Sequence, residues 1–111
     1  MTPSRSDIPP GTLDMLILRT VERCVEAHGF EIAEAIGRAS AEVLQVEEGS
    51  LYPALQRLLI KGWLVGEWGR TSENRRARYY RITAAGRKQL AHELANYRQV
   101  SRAIAAVLRP A

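Results

Sequence analysis

Between Thr83 and Pro110, residues Leu90, Leu94, Tyr97, Ser101, Ile104 and Leu108 recur in steps of four, three, four, three and four. That spacing is a heptad seam on a helix, with Ser101 as its polar interruption and Val100 and Val107 widening it. A helix of about 25 residues extends ~37 Å at about 1.5 Å per residue. The chain has 111 residues, the size of one domain, and so small a domain leaves much of the seam uncovered. A second chain is the cover it calls for. Leu13 and Ile17, on the first helix, are expected to join Leu90, Leu94, Tyr97, Ser101, Ile104 and Leu108 in that interface. Ser101 either sets the register there or is merely tolerated.

Upstream of the seam the periodicity predicts three shorter helices. Pro9-Pro10-Gly11 ends a flexible leader, residues 1–11, and Thr12 can cap a helix whose second residue, Asp14, suits the helix dipole. Leu13, Leu16, Ile17, Val21, Cys24 and Val25 form its apolar stripe, and His28-Gly29 reads as its stop. The second helix places Ile32, Ala33 and Ile36 on one side. Val43-Leu44-Gln45-Val46 reads as a connecting strand or extended turn. The third helix, EEGSLYPALQRLLIKG, buries Leu51, Leu55, Leu58 and Leu59 and turns Ser50, Pro53, Gln56, Arg57, Ile60 and Lys61 outward. With Ser50 as its cap, Pro53 falls in the first turn, where its missing N–H has no intrahelical partner. Glu47 and Glu48 stand at the positive end of that helix's dipole.

Two β-prone, aromatic runs follow, Trp63–Trp68 and Arg78–Thr83, separated by GRTSENRRA. They read as an antiparallel hairpin with a long basic tip. Residues 57–88 carry nine bases against Glu67 and Glu73, nine minus two giving +7 and leaving −3 for the rest of a chain whose total is +4. Such asymmetry points to a polyanion or an acidic partner, although charge alone also fits a solvated basic face. Cys24 is the one cysteine, so neither an internal disulfide nor a cysteine-based metal framework can form. His28 and His92 lack ligand spacing, and neither a metal nor another cofactor is expected. The sequence has no run of apolar residues long enough to span a membrane and no signal-peptide core, so the expected location is cytoplasmic. No nucleophile–base arrangement, phosphate-cradling glycine loop or paired carboxylates point to an enzyme.

The predicted fold class is mainly α with a small β-hairpin. It is a winged helix-turn-helix over residues 12–83, followed by a dimerisation helix over residues 84–111. In that architecture the third helix enters the major groove of DNA and the hairpin, the wing, lies along the backbone. Arg75, Arg76 and Arg78 near the hairpin tip suit phosphates. Arg78 could instead pair across the hairpin with Glu67. Of Tyr79 and Tyr80, one is expected to pack inward with Ile82. Trp63 and Trp68 read as core or hairpin-packing residues.

The chain resembles the PadR family of bacterial transcriptional regulators. The resemblance is carried by GTLDMLILRTV, HGFEIAEAI, VEEGSLYPALQRLLIKGWL, EWG and RRARYYRITAAGRKQL, which together cover nearly everything from Gly11 to Leu90. It implies a homodimer that binds an inverted repeat of double-stranded DNA and usually represses transcription. It also implies that Ser50, Tyr52, Pro53, Gln56 and Arg57 of the third helix meet DNA, with Gln56 or Arg57 at a base edge. Lys61 is a phosphate contact or simply solvated. Tyr52 could equally pack its ring under the second helix with its hydroxyl at the surface. Two departures stand out: Phe30 replaces the tyrosine common after His-Gly, and Tyr97 is the one aromatic of the last helix. A small-molecule effector is therefore left open and unidentified. The competing reading is an interaction adaptor whose basic face meets an acidic protein.

Overall fold

Thr12 opens the first helix, α1 (Leu13–Cys24), in the computed structural model, which describes residues 8–9 and 11–111. Of the expected leader, residues 1–7 and Pro10 lie outside the described residues. The Thr12 hydroxyl does not cap the helix; it donates to the Pro9 carbonyl at 2.7 Å. α1 buries Met15, Ile17, Leu18 and Val21. The apolar stripe stops there, because Val25 turns into a positive-φ conformation (φ 69°) and both it and Cys24 are exposed. Cys24 is thus not the buried hydrophobe its spacing suggests.

His28-Gly29, expected to end the first helix, instead begins the second. Ala27–His28 form a short strand, β1, and α2 runs over Gly29–Ala39. The His28 Nδ1 accepts the Glu31 N–H at 3.4 Å, while the Glu31 carboxylate accepts the His28 N–H at 3.1 Å. This reciprocal cap satisfies two helix-terminal donors. α2 buries Ile32 and Ile36 as predicted. The chain then turns through Ser40, whose hydroxyl donates to Ile36 and accepts the Leu44 N–H. No regular strand forms over residues 43–46, although Leu44 and Val46 pack against the core.

α3 spans Glu48–Ile60 with Glu47, not Ser50, at its N-cap. Ser50 is therefore a first-turn residue, and Pro53 sits one turn deeper than predicted, where its N–H would have bonded the Gly49 carbonyl. Gly49 is exposed, so water can serve that carbonyl. The apolar face is as expected: Leu51, Ala54, Leu55 and Leu58 are buried.

The hairpin forms from β2 (Leu64–Arg70) and β3 (Arg76–Ile82), paired from Leu64↔Ile82 to Arg70↔Arg76. Its strands extend farther than predicted and shorten the tip to residues 71–75. The short β1 adds a third strand on the other side of β3, pairing Ala27 with Tyr80 and His28 with Tyr79. α4 (Ala84–Leu108) begins at Thr83, whose hydroxyl accepts the Gly86 N–H at 2.9 Å and donates to the Gly62 carbonyl at 2.7 Å. Gly86 lies against the Trp63 carbonyl and Ile82, a space in which a Cβ would collide.

The core gathers Ile17 and Leu18 from α1, Ile32 from α2, Leu51, Leu55 and Leu58 from α3, Leu64 from β2 and Leu90 from α4. Ile17 and Leu90 are 0% and 1% exposed in the single chain. They have no surface left for a partner, which corrects their assignment to an interface. Leu94 packs against the core edge, and beyond it Tyr97, Val100, Ile104, Val107 and Leu108 are all exposed. Among the described residues, no helix is long and apolar enough to cross a membrane. Helices, three-stranded sheet and long last helix together make the winged helix-turn-helix.

Candidate nucleic-acid interface

α3 covers its leucines and leaves Ser50, Pro53, Gln56, Arg57 and Lys61 exposed. Tyr52 is half-exposed, with its ring edge over Gly29 at the start of α2; a Cβ at Gly29 would lie 3.0 Å from the ring. The packing role foreseen for Tyr52 is therefore real, and it leaves half of the side chain outside. It also explains why glycine opens α2. Glu48 and Tyr52 face the wing across an open cleft of about 720 Å³, whose far wall includes Trp68, Arg75, Arg76 and Arg78.

Strand alternation decides which wing residues look toward that cleft. Leu64, Gly66, Trp68 and Arg70 on β2 share a face with their partners Ile82, Tyr80, Arg78 and Arg76 on β3. The proximal half of this face, Leu64, Tyr80 and Ile82, is core. Its distal half presents Trp68 and three arginines. The Arg76 guanidinium lies 4.4 Å from the Trp68 ring centroid and that of Arg78 5.9 Å away, positions that the ring quadrupole favours. Arg78 also crosses Gly66, where a Cβ would approach its Nε to 2.5 Å. That Nε is buried with no hydrogen-bond partner among the described residues.

Glu67 stands on the opposite face, so Arg78 does not pair with it. Arg81 does, at 3.6 Å. The alternative Arg78–Glu67 bridge fails on strand parity. Tyr79, also on that face, lies over Gly69 and donates its hydroxyl to the Arg70 carbonyl at 3.2 Å. Tyr80 is the inward tyrosine beside Ile82. Burial raises its phenol pKa, the nearby Arg78 charge opposes that rise, and Tyr52 adds to it. At the tip, Arg75 approaches Glu73 at 3.9 Å with both side chains largely in solvent, an arrangement that ties up little of the arginine's charge. Lys61 leans back over Trp63, 4.7 Å from the ring centroid.

One neighbour of this surface was invisible in the sequence. Arg57 Nη2 donates to Asp14 Oδ1 at 2.9 Å, bridging α3 and the first turn of α1 across 43 residues. The sequence marks Asp14 only as a dipole partner, and no local spacing could have paired it with Arg57.

A family model described as the transcriptional regulator PadR-like family matches residues 17–92. The chain is 33% identical over 100 residues to an uncharacterized protein of Lysinibacillus sphaericus, covering 90% of this chain and 91% of that one. It is 34% identical over 79 residues to the transcriptional regulator Rv3488 of Mycobacterium tuberculosis, covering 71% and 70% respectively. Its structure is similar to that of a transcriptional regulator from Clostridium thermocellum, with a TM-score of 0.80 at 26% identity over 89% of this chain and 95% of that chain. A PadR family transcriptional regulator from Eggerthella lenta gives 0.77 at 26% identity over 91% and 85%.

Proposed function

The chain belongs to the PadR-like family of transcriptional regulators, and on that footing we propose that it binds a specific double-stranded DNA operator as a homodimer on an inverted repeat and represses transcription there. The family is one of regulators and not of enzymes. The observation that carries the reading is the pairing of helix entrance and wing: Glu48 and Tyr52 of α3 border one cleft with Trp68, Arg75, Arg76 and Arg78, and Ser50, Pro53, Gln56 and Arg57 farther round the same helix are exposed. An α-helix fits the major groove, and a wing beside it meets the sugar-phosphate backbone.

In this reading Gln56 and Arg57 read base edges, while Ser50, Tyr52 and Pro53 approach the backbone at the helix entrance. Lys61, Arg75, Arg76 and Arg78 neutralise phosphates and release counterions. Residues 12–83 form the DNA-binding unit and residues 84–111 the dimerisation helix. Tyr97, Ser101, Ile104 and Leu108, exposed on α4, supply the partner's contact, with Leu13 and Leu94 at its edge. A regulator of this kind works in the cytoplasm beside the chromosome. A small-molecule effector is compatible with the dimer seam, where Tyr97 is the aromatic residue on offer.

Fluorescence anisotropy with the duplex upstream of the protein's own gene tests the proposal. Binding should weaken steeply with salt, and Arg76→Ala should weaken specific and random duplexes alike and lower the salt slope by about 1. Absence of binding to any duplex at low salt would sink it. Recovery of an acidic protein on the same basic face, without DNA, would favour the adaptor reading instead.

A further inference from the structure

We infer that Asp14 is a positioning residue for DNA reading: from α1 it clamps the Arg57 guanidinium in one orientation, so that sequence preference depends on a carboxylate that does not touch DNA. The inference rests on the DNA-binding reading of α3 and adds to it a residue outside that helix.

The geometry is asymmetric in a useful way. The Asp14 side chain is 20% exposed and that of Arg57 52% exposed. The acid is thus the recessed partner and the base the presented one. Asp14 is anchored in the first turn of α1, where the helix dipole favours its negative charge. Only Nη2 of Arg57 is bonded to Asp14 among the described contacts. A guanidinium has five N–H donors in a rigid fork, so the remaining edge can still meet the paired acceptors of a guanine. Without its clamp a long arginine samples many rotamers and satisfies itself on any phosphate within reach. Phosphate contacts carry no sequence information. Loss of Asp14 should therefore separate two quantities that usually fall together: affinity for the operator declines while affinity for random DNA holds or rises.

The rival account is a surface ion pair that only ties α1 to α3, a type of pair that contributes little to stability. The test compares Asp14→Ala, Asp14→Asn, Arg57→Ala and the Asp14→Ala/Arg57→Ala double variant, each with its thermal midpoint. Binding is measured on the tightest duplex that the wild type recovers from a random pool and on a scrambled duplex. Asp14→Ala should lower the operator-to-scrambled affinity ratio by roughly tenfold, with scrambled binding equal or tighter. Asp14→Asn, which keeps a neutral acceptor, should lose less. In the Arg57→Ala background, Asp14→Ala should change the ratio no further. An unchanged ratio in Asp14→Ala overturns the inference. So does a parallel loss on both duplexes with a lowered midpoint, which marks a structural role. Equal losses in the alanine and asparagine variants would assign the effect to charge and likewise overturn it. A wild type that does not distinguish the two duplexes fails the DNA-binding reading itself, a separate result.

Discussion

A methyl group placed on Gly86 would meet the Trp63 carbonyl and the Ile82 side chain, both fixed by the wing's base. Gly86→Ala should therefore destabilise the fold by about 1–3 kcal/mol, the usual cost of overpacking, read as a lower thermal midpoint. Gly49 offers the contrast. A Cβ there meets nothing within 4 Å, so Gly49→Ala should stabilise α3 by up to about 1 kcal/mol and raise the midpoint. Tyr80 makes a prediction about pH. Its pKa is raised, first by burial, so the folded state holds the phenol proton above the pH at which the unfolded chain releases it. Stability from this group is full below the usual tyrosine value near 10 and is lost as pH rises through the higher folded value. Urea midpoints measured from about pH 9 to about pH 11 should fall, and Tyr80→Phe should flatten the decline. A slope unchanged in that variant would remove Tyr80 from the account.

Among the elements, α4 makes the firmest demand. Ile104 is exposed and remote from the core, so Ile104→Glu should halve the mass in sedimentation and leave the winged domain folded. A variant that remains dimeric would show that the seam is not the interface. Leu94 is a poorer probe, because it also packs against the chain's own core. This helix was legible in the sequence through its heptad steps, as was the buried face of α3 through its leucines. Local chemistry sufficed for both. The two-residue β1 was not legible, since its strand character comes from pairing with Tyr79 and Tyr80 about fifty residues away. The N-cap role of His28 followed it out of sight, because His-Gly also reads as a helix stop. Arg78 and Glu67 failed as a pair because their faces depend on strand register, and Asp14 with Arg57 because only the folded chain brings them together. Glu47, rather than Ser50, holds the N-cap position of α3, with no side-chain cap bond; two acids before a serine leave the boundary ambiguous by a turn.

For the whole molecule, the extents of 57 × 38 × 22 Å describe a thin body elongated by one projecting helix. Joined along α4, two such bodies would present their α3 helices as a symmetric pair. Hydroxyl-radical footprinting should then show two protected half-sites one helical turn apart, about 34–36 Å centre to centre. Protection confined to one half-site would argue against the dimeric reading. Between α4 and the proposed reading surface stands α1, which packs against α2, α3, β3 and α4 alike and pairs with Arg57 through Asp14. A genetic screen for loss of regulation should accordingly collect changes at Ile17, Leu18 and Val21, buried positions of α1 that contact no nucleotide. Mapped by phenotype alone, they would be mistaken for part of the binding surface.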